Sequence, residues 1–86
     1  MKSIELYTKA LEHSPNDHTI YGNRSAAYAN LKQFTKALDD GQKCIEIKSD
    51  WSKGYLRKAN ALFGLRKLDE AAEACETGLK YESTNT

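Results

Sequence analysis

Lys53 and Arg57 stand four residues apart, so on a helix they share one face, and Asn60 and Gly64 continue it. Asn23 precedes Arg57 by 34 residues (57 − 23), an interval that recurs through the chain. Two cations and an amide donor converging in a groove make a receptor for a carboxylate, the capture of a chain terminus by charge-assisted hydrogen bonds. A bare i, i+4 basic pair is more often a solvated helix face, so the pair alone does not decide between the two. Other chemistry is poorly supplied. His13 and His18 flank Pro15 with no nucleophile, Gly-rich phosphate loop or carboxylate pair near them, so they read as surface turn residues and catalysis is not expected. Cys44 and Cys75 form no Cys-x-x-Cys pair and neither histidine stands at ligand spacing, so no metal and no cofactor is expected. Both thiols read as buried and free.

What places these residues is a repeat. Tyr21 recurs as Tyr55, Leu31 as Leu65, Ala37 as Ala71, Ile45 as Leu79 and Ser49 as Ser83, each pair 34 apart (55 − 21). Ser25 with Ala59, Tyr28 with Leu62 and Phe34 with Leu68 keep size. Extended backwards, the register reaches Ser3, Tyr7, Ala10, Leu11 and Pro15 without a gap. Within each period the apolar positions fall at helical spacing, first Tyr21, Ser25, Tyr28 and Leu31, then Phe34, Ala37, Leu38, Gly41, Cys44 and Ile45. Each period is therefore two helices, and an all-α fold of five helices follows, at about 2–13, 17–31, 34–47, 51–65 and 68–81. Small residues at Ser25/Ala59 and Ala37/Ala71 allow the helices of a hairpin to approach closely. Ser14, Asn16 and Asp17 supply turn and N-cap chemistry before the second helix, and Ser49 and Asp50 before the fourth. Gly41 and Gly78 should cost about 1 kcal/mol each against Ala within a helix.

The chain has 86 residues, enough for one small domain. Thirteen Lys plus Arg against twelve Asp plus Glu leave a net charge of +1, too balanced for a nucleic-acid binder. No apolar run approaches a membrane span, and Lys2, Glu5 and Lys9 interrupt any signal-peptide core, so a soluble cytoplasmic setting with no membrane partner is expected. Five helices is an odd number for a hairpin array. Met1 falls half-way through a repeat, so Ile4, Leu6, Tyr7, Ala10 and Leu11 would have only the helix near Asp17 to pack on. A fragment of a longer protein, or a homodimer through this unpaired first helix, is the expectation. The division is 1–17 for the second half of repeat one, 18–51 for repeat two and 52–86 for repeat three.

These residues resemble the tetratricopeptide repeat, a 34-residue helix-turn-helix with an aromatic near its start, a small residue, a second aromatic and a later Ala. The resemblance covers essentially the whole chain and departs from the pattern at Ser49 and Ser83, where a late Pro is missing. It implies a right-handed superhelical array of about two and a half repeats. The runs Tyr21-Gly-Asn-Arg-Ser-Ala-Ala-Tyr28 and Trp51-Ser-Lys-Gly-Tyr-Leu-Arg-Lys58 are similar to the paired motifs of chaperone-binding domains of this kind. The stretch Asp39-Asp-Gly-Gln-Lys-Cys-Ile-Glu-Ile47 leans towards the first such domain of the heat-shock organising co-chaperone, the Sti family. That resemblance implies a non-catalytic adaptor that captures the Glu-Glu-Val-Asp tail of a cytosolic heat-shock chaperone, the seventy-kilodalton class favoured and the ninety-kilodalton class the alternative. It assigns Asn23, Lys53 and Arg57 to three places of a five-residue dicarboxylate clamp; the other two, a Lys and an Asn, belong to a first helix absent here, so tail binding at tens of micromolar or weaker is expected.

Ala26 and Ala29 follow Asn23 by three and six, and would either wall the groove against the tail's Val or simply pack; Asn60 is a further lining candidate. Arg24 and Lys58 share a repeat position better suited to a structural salt bridge than to a ligand. Trp51 is expected to pack across a hairpin junction. Two further functions fit the same pattern: a regulatory segment of a multidomain prolyl isomerase, phosphatase or ubiquitin ligase, and a self-assembly module.

Overall fold

The computed structural model describes residues 2–84; Met1, Asn85 and Thr86 lie outside the described residues. Five helices follow in order: α1 (Lys2–His13), α2 (His18–Asn30), α3 (Phe34–Ile47), α4 (Ser52–Gly64) and α5 (Leu68–Thr84). Each packs on the next, and α2 also packs on α4. This is the stacking that a 34-residue period demands, with α2/α3 and α4/α5 as hairpins and α2 and α4 side by side as inner helices. The resulting slab measures 32 × 29 × 18 Å. α5 runs three residues beyond the predicted end at 81, because neither Pro nor Gly follows Tyr81 to stop it.

Small residues do set the hairpin spacing. Ala37, Ala59 and Ala71 are buried, and the Ser25 hydroxyl, also buried, donates to the Ala37 carbonyl at 2.7 Å, so its polarity is satisfied inside the α2/α3 contact. A core cluster of Ala59, Leu62, Ala71 and Ala74 is completed by Leu38 and Cys75. Gly41 sits where helices approach closely: a Cβ there would lie 3.0 Å from the Lys58 backbone nitrogen and 3.3 Å from the Arg57 carbonyl carbon, so a side chain would push the two helices apart by a few tenths of an ångström. The propensity cost at that position is offset by the backbone approach of α3 to α4.

The caps agree with the sequence reading at one junction and differ at another. Asp17 caps α2, its carboxylate accepting from the Thr19 backbone N–H at 2.9 Å, and the Thr19 hydroxyl, with a smaller contribution from that backbone bond, holds its pKa below the ordinary carboxylate value. Before α4 neither Ser49 nor Asp50 caps. The N-cap is Trp51, which makes no side-chain cap bond, and Asp50 instead pairs with Lys48 at 3.0 Å. The helix start is fixed by packing: the Trp51 ring reaches Gly22, where a Cβ would come within 3.0 Å of it, and meets the His18 ring edge-on at 4.6 Å. His18 is thus half-buried packing rather than a free turn residue. At the C-termini of α2 and α4 the chain closes identically. Gln33 donates to the Tyr28 carbonyl and Lys67 to Leu62, both at 2.9 Å, with Lys32 (φ 61°) and Arg66 (φ 66°) in the left-handed conformation usually given to Gly.

α1 packs against α2 and makes no comparable contact with any other helix. Leu11 is buried at 8% exposure, Ile4, Tyr7 and Ala10 are half-buried, and Leu6 is 63% exposed.

The two thiols are not alike, contrary to the expectation that both are buried. Cys44 is fully enclosed, and burial, reinforced by the Asp40 charge, pushes its pKa up to about 12. Cys75 is half-buried and lines an open cleft with Phe63 and Leu68. Since the thiolate is the reactive form, a chromogenic disulfide reagent at pH 8 should titrate one thiol per native chain and two in denaturant. Two fast thiols in the native state would overturn this assignment.

Candidate functional site

Regular helical geometry carries Asn23 on α2 and Lys53 and Arg57 on α4, and the direct packing of α2 on α4 brings the two faces together. Asn23 and Lys53 are exposed and Arg57 is half-buried. None of the three side chains makes a hydrogen bond or ion pair among the described residues. The Arg57 Nε is moreover buried without an acceptor. A buried, unpartnered guanidinium N–H is costly, which makes it a place where an incoming anion gains more than at an ordinary surface arginine.

Beside it lies a cleft of about 230 Å³ between the inner helices, lined by Ala26, Ala29, Asn30, Phe34, Arg57 and Asn60, with the buried Ser25 at its floor. Four of the residues singled out from the sequence thus share one cavity: Ala26, Ala29, Arg57 and Asn60. Asn23 and Lys53 stand one helical turn before it on the same two helices and are not part of its lining. Asn30 and Phe34 were not anticipated. Their signal is the register itself, since Asn30 follows Ala26 by four and Phe34 opens the helix that closes the hairpin.

Arg24, next to Asn23, points to the other side of α2. Its Nε and Nη2 donate to the two carboxylate oxygens of Asp40 on α3 at 2.7 and 2.8 Å, and its Nη1 donates to the Thr8 hydroxyl of α1 at 3.2 Å. The rings of Tyr21 and Tyr28 flank the guanidinium at 5.7 and 5.8 Å. The hydrogen bond to Asp40 raises the Arg24 pKa further, so it is a permanent cation. The salt-bridge role expected for this repeat position holds for Arg24, which ties three helices together; Lys58 makes no ion pair among the described residues. Trp51 packs at the junction as expected.

Fold and cleft together define a stacked helical-hairpin repeat whose inner face carries unpaired hydrogen-bond donors. The chain belongs to the tetratricopeptide repeat family, whose models match residues 6–39 and 52–85. Within that family it matches a repeat domain of the Sti co-chaperones. It is 48% identical over 86 residues to the heat shock protein STI1 of Saccharomyces cerevisiae, covering 98% of this chain and 14% of that protein. Among solved structures it is similar to the first repeat domain of Spaghetti (RPAP3) bound to an HSP90 peptide, Ser-Arg-Met-Glu-Glu-Val-Asp. The TM-score is 0.89 and the identity 34%, over 93% of this chain and 64% of that one. A repeat domain of yeast Sti1 in complex with an Hsp70 peptide superposes with a TM-score of 0.90 at 30% identity, over 94% of this chain and 65% of that one. The chain spans 14 to 15% of the length of the first curated relatives it matches.

Proposed function

We propose that this chain is a non-catalytic docking module of a cytoplasmic co-chaperone. On this reading it captures the C-terminal Glu-Glu-Val-Asp tail of a heat-shock chaperone, of the seventy-kilodalton class in preference to the ninety-kilodalton class. Asn23, Lys53 and Arg57 donate to the terminal carboxylates, and Ala26, Ala29 and Asn60 line the path of the residues before them. The repeats divide at 18 and 52, so the two donor-bearing helices open repeats two and three. The observation that carries the reading is the buried, unpartnered Arg57 Nε at the edge of the inner cleft. A peptide carboxylate would supply the missing acceptor, and Lys53 adds charge one turn away. The solved neighbours bound to chaperone peptides support the same use of the groove. No helix among the described residues is long and apolar enough to cross a membrane.

The test is a titration with an acetylated peptide ending in Glu-Glu-Val-Asp and with its C-terminally amidated twin. The amide removes one carboxylate and little else, so the acid should bind at least about 10-fold more tightly, a charge-assisted bond being worth about 1.5 to 3 kcal/mol. Equal binding of the two peptides would exclude carboxylate capture.

A further inference from the structure

The overall charge of the chain is near neutral, yet cations gather at one edge of the fold. The two hairpin turns, at 31–33 and 65–67, are brought together around a hollow of about 480 Å³ lined by Lys32, Phe34, Phe63, Gly64, Arg66 and Leu68. Lys36 and Lys67 lie in or just after these turns in sequence but do not line the hollow, Lys36 lying with its Nζ 5.7 Å from the Tyr28 ring centre. Neither Lys32 nor Arg66 makes an ion pair among the described residues. The nearest acidic residues along the chain, Asp69 and Glu70, begin α5, and Glu70 lines a different cleft with Lys58. Both cations occupy left-handed backbone positions that Gly or Asn would fill without strain.

The hollow adjoins the inner cleft, with Phe34 lining both. Lys53 and Phe63 are ten residues apart on α4 (63 − 53), roughly 15 Å at 1.5 Å per residue. An extended peptide advances roughly 3.3 to 3.6 Å per residue. A ligand whose terminal carboxylate rests at Lys53 therefore brings its fifth and sixth residues from the end to this edge.

We infer that Lys32 and Arg66 form a charge filter on the ligand: an acidic residue sixth from the C-terminus strengthens binding and a basic one there weakens it. The inference rests on the tail-capture reading above. It gives that reading a repulsive element, which discrimination between similar tails requires. The peptide Ser-Arg-Met-Glu-Glu-Val-Asp, bound by the Spaghetti domain, places an Arg at that position. On this chain that Arg meets two like charges.

The experiment titrates the 86-residue chain with that peptide and with versions carrying Ala or Glu in place of its Arg. Affinity should rise in the order Arg, Ala, Glu, spanning about 3- to 10-fold at low salt and shrinking as salt is added. In a Lys32→Asn, Arg66→Asn variant the span should vanish, the three peptides binding equally; Asn accepts the left-handed backbone, so an unchanged or higher melting temperature shows the fold intact. Equal affinities for the three peptides in the wild type, or a span that survives in the variant, would overturn the filter and leave tail capture standing. Binding of none of the three would overturn both.

Discussion

Replacing Arg57 by Ala should weaken binding of a Glu-Glu-Val-Asp peptide about 10- to 150-fold, and Lys53→Ala should do the same, each loss being one charge-assisted bond of about 1.5 to 3 kcal/mol. The two residues reach that outcome by different routes. Lys53 is exposed and unpaired, so its contribution is a solvated cation brought to a carboxylate, and it should fade as salt screens the groove. Arg57 is half-buried with its Nε already cut off from water, so the desolvation cost is borne in the free protein and less is lost on binding. Its contribution should therefore resist salt better than that of Lys53. Arg57→Lys should recover only part of the affinity, since an ammonium cannot reproduce the guanidinium fork. Calorimetric titration of the three variants at low and high salt reads all of this. A Lys53→Ala variant that binds like the wild type would show that the cations are a solvated face and nothing more.

The periodicity of the chain made the architecture legible before any coordinates, because each repeat buries the same small residues at the same two contacts. Ser25 and Ala37, then Ala59 and Ala71, could be read as spacers from their recurrence alone, and they are the buried contacts. What periodicity could not show is where a contact departs from its repeat. Gly41 looked like a propensity cost because helix scales treat a residue in isolation, while its reason is the backbone of α4 on a different hairpin. Asp50 looked like a cap because its type suits one, but the indole of Trp51 fixed the start of α4 and left the carboxylate to Lys48. At the cleft, Arg57 and Asn60 could be placed on a common face from spacing. That the Arg57 Nε would be buried without a partner depends on how the helices around it pack, which no spacing rule gives. The Lys32/Arg66 edge was present in the sequence at the repeat interval, and only the closure of both hairpins onto one hollow gave it meaning.

Arg24→Ala should destabilise the fold by about 3 to 5 kcal/mol, a large share of the roughly 4 to 13 kcal/mol that a domain of this length commands. The loss arises less from the bonds removed than from what remains: the Asp40 carboxylate, 6% exposed, would be left buried with no cation to accept from. The melting temperature should fall by at least about 10 °C. Repeat three shows how the same position can be filled without charge. Lys58 stands 34 residues after Arg24 (58 − 24), and where Asp40 would recur the chain has Ala74, a member of the core cluster. Removing the carboxylate along with its partner should therefore undo much of the damage, because a buried ion pair contributes little net stability over a well-packed apolar contact. The double variant Arg24→Lys, Asp40→Ala copies the repeat-three solution and should melt well above Arg24→Ala. The remaining deficit reflects the lost tie to Thr8, so amide exchange in α1 should be faster in the double variant than in the wild type. Thermal unfolding of the three proteins, with amide exchange on the double variant, separates the two contributions. If Arg24→Ala and the double variant melt together, the cost lies in the arginine's packing between Tyr21 and Tyr28 and not in the stranded carboxylate.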